Sequence, residues 1–492
     1  MSMKGQRQRR HLHDQAPPSA RAPSGNLAAR DLEGMQAELQ RYHERFHDLF
    51  ARREQRQWSA FYLRGQLSDL ERKSIEPMVL AEYGPDMAKV RAGQQFLGAG
   101  AFNDSAILRR HQGMVAETLG EADAALIVDG SGFPKQGQHS VGVARQYCGH
   151  LGKVANCQVG VFAAYASSKG HTFLDCRLYM PRAWFDDEHA PLRQRYGVPE
   201  DLHFATEPEL ALQMIEGLVA RGEVPFRWVL ADQGYGKVPG FLDRIDALGK
   251  EYFIEVPLFT SLWPCEVELD PPGQGSRGRP RRHARLAPGQ PKRCSGQALA
   301  DSLAPDQWHW YTVTEGARGP LQAQFAFVRI TRARGRHPGE AAWAVLRRGP
   351  EADGALKLFL CNAPPDCDPR TLVRLSARRW PVETAFLEAK GELGMDHYEV
   401  RSWRGWHHQM TQTFLAHHFL VGMRLRLKKS PRTDFTPDVS AAGRGAGAPE
   451  ARPGTGAGDR GLSPAAKPRR LPFSPQAYTQ TKSAAQKSNA SC

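Results

Sequence analysis

The sequence predicts a mixed α/β fold, preceded by an all-helical domain and interrupted by a β-rich segment. Three observations carry this. Apolar residues recur every three or four positions as far as residue 119, short apolar runs then end in aspartate, and a periodic helix lies between two such runs.

Taken in order, residues 1–30 are rich in Arg, Gln, Pro, Ser and Ala without periodicity and read as a disordered basic tail. Leu32, Met35, Leu39, Tyr42, Phe46 and Leu49 mark one face of an amphipathic helix. Further helical patterns in Trp58–Leu70, Pro85–Leu97 and Ala106–Leu119 delimit a helical domain over residues 31–120. Ala124–Val128 is a short apolar run ending in Asp129 and a glycine-rich turn, which reads as a buried strand and its exit loop. Cys157–Tyr165 and Thr172–Tyr179 read as strands, Glu207–Arg221 as a helix, and Trp228–Ala231 as a strand ending in Asp232, all within a core over 121–250. Tyr252–Leu258, Trp308–Thr314, Gln322–Ile330 and Ala342–Arg347 read as strands of a β-rich insertion over 251–365, broken by a Pro/Gly/Arg stretch from Pro271 to Arg293. Helical patterning returns at Thr371–Leu393 and His407–Leu427, the core's second part over 366–428. Residues 429–492 are low in apolar content and read as a disordered tail.

Composition excludes several classes. Of 492 residues, 41% are hydrophobic, enough for real cores, yet no apolar run is long enough to span a bilayer. The basic N-terminus lacks the apolar centre of a secretory signal. Eight cysteines are scattered without a C-x-x-C pair, which argues against a zinc ribbon or a disulfide scaffold and fits a reducing, cytoplasmic compartment. Of the net charge of +14, residues 1–30 carry +5 and residues 431–492 another +5, which leaves +4 for the body. Basic tails are compatible with nucleic acid but are as often simply solvated.

Two acids end predicted strands: Asp129 in AALIVDGSGFPKQG and Asp232 in FRWVLADQGYGK. Carboxylates at the carboxyl edge of a sheet can converge in one crevice and share divalent cations, which clamp both oxygens of a phosphodiester displacement. Taken singly, each reads first as a turn former before glycine or glutamine. A third acid lies in ARRWPVETAFLEAKGELGMDHYEVRSW. Glu383 and Lys390, seven apart, share a helix face, and Arg379 precedes Glu383 by four. An exposed charged helix face is the plain reading of that pattern.

The strings VDGSGFPKQGQHSVGVARQYCGHLGKVANCQVGV, VLADQGYG and RRWPVETAFLEAKGELGMDHYEVRSWRGWHH resemble those of DDE insertion-sequence transposases, in the subgroup with a β-rich insertion before the catalytic Glu. YLRGQLSDLERKSIEPM resembles that subgroup's N-terminal region, so the likeness runs from about residue 45 to 425. It implies an RNase H-like sheet, with Asp129, Asp232 and Glu383 as the catalytic acids that hold two Mg²⁺ ions, for which Mn²⁺ can substitute. It implies cleavage at the element's ends and strand transfer into target DNA, by subunits that associate on paired ends in the bacterial cytoplasm, at the nucleoid. Arg379 and Lys390 match the wider clan's signature and would hold the strand electrostatically, whereas the signature's tyrosine falls on Ser376. Relatives often carry a second Asp where this chain has Gly130.

Other DNA contacts follow from the same resemblance. Lys135 can touch phosphate or be a solvated loop lysine. Arg64, Arg72 and Lys73, in a basic run of the helical domain, can meet the phosphate backbone, although a solvated face is the default. Trp308 and Trp310 can stack on an unpaired base or belong to the core. His407, His408, His417 and His418 lack evident acidic or cysteine partners and read as helix-face residues rather than a metal site. The competing class is a catalytically inactive, DNA-binding remnant or regulator, which the family-unlike stretch after Leu427 favours and the complete acid triad opposes.

Overall fold

The computed structural model describes residues 29–270, 285–316, 319–349 and 355–429. The expectations of disorder at the two termini, and most of the Pro271–Arg293 stretch, lie outside them.

The chain begins with α1 (Ala29–Glu44), α2 (Arg53–Gln66), α3 (Ile75–Tyr83), α4 (Met87–Ala99) and α5 (Asp104–Leu119). Two of these starts are set by side chains that satisfy orphan N–H groups: Asp86 accepts from the amides of Ala88 and Lys89, and Asn103 from that of Ala106. Helix α3 was not expected, since IEPMVLAEY is apolar nearly all round and shows no stripe. The region does not stand apart from the rest. Phe61, Ile75, Val79 and Phe96 pack with Leu415 and Ala416 of the last helix, and buried Gln66 donates to Thr413 at 2.8 Å.

Next come β1 (Ala125–Pro134), β2 (Ala144–Cys148), β3 (Lys153–Ala166), β4 (His171–Tyr179), α6 (Ala190–Arg195), α7 (Glu207–Arg221), β5 (Trp228–Ala231), α8 (Gln233–Gly236), α9 (Pro239–Ala247) and β6 (Glu251–Val256). The expected exit turn after Asp129 is instead strand: Gly130, Ser131 and Gly132 continue β1 in antiparallel register with β3, opposite Val161, Gly160 and Val159. These glycines serve close approach, for a β-carbon at Gly132 would lie 2.6 Å from the Cys148 sulfur.

The β-rich segment supplies β7 (Ser261–Trp263), β8 (Leu269–Asp270), β9 (Arg285–Leu286), β10 (Cys294–Ser295), α10 (Gly296–Ser302), β11 (His309–Gly316), β12 (Gly319–Arg334), β13 (His337–Arg348) and β14 (Lys357–Cys361). Except for the β8–β9 pair, these strands form no sheet of their own. They extend the central one, because β14 pairs antiparallel with β6, and twelve strands run in the order β10-β7-β12-β13-β14-β6-β5-β1-β3-β2, with β11 on β12 and β4 on β3. Trp308 is buried and Trp310 is half exposed.

Three helices close the chain: α11 (Pro369–Ala377), α12 (Trp380–Gly391) and α13 (Trp403–Lys429). The helical patterning read over Thr371–Leu393 is divided at Arg378–Arg379 into two helices, because Pro381 has no N–H to continue the ladder and suits only a first turn. The sheet has two covered faces. Ile127, Leu230 and Phe253 face Val382, Ala385 and Phe414 of the closing helices, whereas Leu126, Val128 and Val229 face Leu210 and Met214 of α7 and Phe241 of α9. Among the described residues no helix is long and apolar enough to cross a membrane.

Candidate active site

Strands β1 and β5 are parallel neighbours in which Val128 pairs with Ala231. Asp129 is the next residue of β1 and Asp232 the residue that follows β5, so register alone brings them side by side at the carboxyl end of β5, where α/β sheets place their ligands. Each is steadied by backbone: Asp129 accepts from the Gly130 amide and Asp232 from the Gly234 amide, both at 2.8 Å, the latter as N-cap of α8.

Helix α12 brings the third acid to the same edge from one face. Its N-cap residue, Arg379, donates to Glu383 at 2.8 Å and to Asp129 at 3.4 Å, so one guanidinium links the first and third acids. Glu383 itself is exposed, in a hollow shared with Arg347, Lys357, Ser376 and Glu255. The three acids are not drawn tightly together; among the described residues, the single cluster of three metal-type donors within 4.8 Å of one another lies elsewhere. Ser376, at the tyrosine position of the signature, spends its hydroxyl on the Val373 carbonyl at 2.7 Å.

On the other face a fourth carboxylate approaches. Thr206 and Glu209 form a capping box that starts α7, with Pro208 in the first turn, and this fixes Glu207 as the first helical residue. Glu207 lines the same cavity as Asp129 and Asp232, and its Oε2 lies 3.0 Å from where a β-carbon on Gly130 would sit. The buried Tyr235 hydroxyl, 3.9 Å from that point, has no hydrogen-bond partner among the described residues. The sequence reading missed both. Apolar periodicity located the helix, but nothing local says that it points at the aspartates.

The electrostatics follow from this crowding. Burial first, then the negative charges of Asp232 and Glu383, push the Asp129 carboxyl up to about 7 against the opposing pull of Arg379. Burial and Asp232 raise Glu207 as well, and burial with all three neighbouring acids raises Tyr235.

The expected basic residues separate. Lys390 donates to the Gly132 carbonyl at 3.0 Å and sits over the Phe133 ring, held against β1 just past Asp129. Lys135 stacks over Tyr398 at 3.4 Å, in a neighbouring hollow, and burial lowers its pKa to about 8. Arg64 and Arg72 are exposed and pair with Glu82 and Glu399, each at 2.8 Å. Lys73 differs: it is 6% exposed and donates to the carbonyls of Gln66, Ser68 and Glu392.

The model of a family described as DDE superfamily endonuclease matches residues 45–320, which include Asp129 and Asp232 and end before Glu383. A probable transposase for the insertion sequence element IS701 of Microchaete diplosiphon is 25% identical over 344 residues, covering 68% of this chain and 74% of that protein. With two aspartates joined by strand register inside a match that spans more than half its length, the chain belongs to the DDE superfamily endonucleases.

Proposed function

We propose that the chain is an insertion-sequence transposase that cuts DNA at the element's ends and joins them to target DNA. Asp129, Asp232 and Glu383 are its catalytic acids, on an RNase H-like core. The observation that carries this is the register of β1 and β5, which sets Asp129 beside Asp232, with Arg379 tying Glu383 to the same edge. The helices over 31–120 and the basic residues Arg64 and Arg72 are read as the DNA-binding side.

The residues fit a hard divalent cation. Like charges and burial hold Asp129 near neutrality, and the Tyr235 hydroxyl is orphaned among acids, so a cation set among these oxygens would relieve both. Asp129, Asp232 and Glu383 would hold Mg²⁺, with Glu207 adding an oxygen from the α7 side. Bound there, the ions supply Lewis acidity and a lowered pKa for water or a 3′-hydroxyl. Arg379 then has two employments: it offsets the acids without metal and meets the phosphate oxygens when the acids are engaged. Lys390, fixed on the Gly132 carbonyl, sets positive charge beside the strand's path.

The test is Mg²⁺-dependent cleavage of a plasmid carrying the gene's own flanking DNA, by the wild-type chain and by Asp129→Asn. Breaks at defined ends that need both metal and Asp129 establish the reading. Specific binding with no cleavage by either protein replaces it with the DNA-binding remnant.

A further inference from the structure

Away from the acid cleft, three side chains from three elements meet: His171 at the start of β4, Glu388 on α12 and His417 on α13. Glu388 Oε2 lies 3.2 Å from His417 Nε2 and 3.8 Å from His171 Nε2, and one ligand atom from each residue falls within 4.8 Å of the other two. Bonds of ~2.0–2.1 Å to a tetrahedral ion set donor–donor edges of roughly 3.3 Å. Two of the three edges, at 3.2 and 3.8 Å, are therefore already near that length.

The surroundings are those of a built ligand set. Thr172 Oγ1 lies 3.0 Å from Nδ1 of His417, which fixes that ring and leaves Nε2 for the cluster. Arg424 holds the other carboxylate oxygen, Oε1, at 2.6 Å, which leaves Oε2 facing the histidines. His171 Nε2 is buried with no hydrogen-bond partner among the described residues.

We propose that His171, Glu388 and His417 bind a zinc-class divalent ion, with solvent in the fourth position. Two imidazoles and one carboxylate suit zinc, whereas magnesium prefers oxygen ligands alone, so this site is chemically separate from the acid cleft. The sequence missed it because the partners of His417 come from residues 246 and 29 positions away. Its role is to brace. Glu388 lies on the helix that carries Glu383 and Lys390, and an ion there ties α12 to β4 and α13 from the side away from the cleft.

The test uses the full-length, tag-free chain, stripped of metal and titrated with Zn²⁺ and with Co²⁺ in excess Mg²⁺. Calorimetry reads affinity, the melting temperature reads stabilisation, and visible absorption reads four-coordinate cobalt. The wild type is expected to take up one ion at micromolar concentration or below and to melt higher with zinc. His171→Gln and Glu388→Gln should each weaken binding by at least the ~10–100-fold that loss of an outer-sphere partner costs. The partly exposed position of His171 lets its variant fold, which a metal-free melting temperature close to wild type verifies. Equal affinity in wild type and both variants, or a wild-type melting temperature that zinc does not move, overturns the proposal and leaves a hydrogen-bonded cluster.

Discussion

A carboxylate oxygen of Glu207 stands 3.0 Å from the point where a β-carbon on Gly130 would lie. The volume that a side chain at 130 would fill, on the face of β1 opposite the Asp129 side chain, is thus held by a carboxylate from another helix. Two substitutions test what it does. Glu207→Gln keeps the shape and removes the charge, and Gly130→Ala keeps the charge and displaces it. Both should lower Mn²⁺ affinity, measured by electron paramagnetic resonance without DNA, by about tenfold, and slow cleavage at limiting metal. Unchanged Mn²⁺ binding in both would make Glu207 a bystander, whereas an effect from Glu207→Gln with none from Asp129→Asn would place the metal elsewhere.

The guanidinium of Arg379 is the cation nearest both Asp129 and Glu383, and its charge pulls the Asp129 carboxyl down against burial. Arg379→Gln should raise the Asp129 pKa above its present value of about 7. In that range ionisation gives the metal-binding form, so the pH at which cleavage reaches half its maximum should move up. The rate itself should fall by ~10²-fold or more, as when a preorganised charge partner is removed. Arg379→Lys should recover the charge but not the two-pronged reach to two acids. A pH profile that stays where it was would show that Arg379 does not govern Asp129.

How much of this was legible can be argued from particular residues. Asp129 and Asp232 were visible because each ends an apolar run of strand length, and runs of that kind pair side by side. Glu207–Arg221 was legible from its apolar periodicity and Trp228–Ala231 from its short apolar run before Asp232. The continuation of β1 through Gly130–Gly132 was not, because glycine signals a turn locally and the reason for a strand, the close approach of Cys148, comes from another segment. The same holds for the β-rich region. Its strands were evident, but that β14 would pair with β6 and extend one sheet is decided by long-range pairing. Lys73 was indistinguishable from Arg64 and Arg72 as a charge, and its burial depends on carbonyls contributed by both α2 and Glu392.

Stability should depend on pH through two buried histidines remote from the acids. Burial lowers both His43 and His111 to about 4; His111 Nε2 lies 2.7 Å from the Phe173 carbonyl, and His43 Nε2 lies 3.0 Å from Ser59 Oγ. Between pH 4 and 6.5 the unfolded chain binds protons that the folded chain refuses, so stability rises with pH across that window and levels off above it. The melting temperature should therefore fall steadily from about pH 7 to about pH 5. His111→Gln should flatten part of that slope while lowering stability near neutral pH. A slope unchanged by the substitution would assign the acid sensitivity to other groups.

The last distinction separates charge that binds from charge that builds. Arg64 and Arg72 are exposed, and their pairs with Glu82 and Glu399 contribute little, on the order of 0–1 kcal/mol each. Arg64→Gln and Arg72→Gln should leave the melting temperature nearly unmoved, weaken DNA binding, and reduce the salt dependence of the binding constant by a slope of about 1 for each phosphate left without its cation. Lys73→Met should do the reverse. It strips a donor from three carbonyls packed between α2 and the end of α12, and orphaned buried carbonyls cost ~1–3 kcal/mol each. A drop of several degrees in melting temperature with an unaltered salt slope is the expected outcome. If Lys73→Met instead lowered the slope and left the melting temperature in place, its ammonium would have to leave those carbonyls for phosphate, and the junction between α2 and Glu392 would be one that DNA opens.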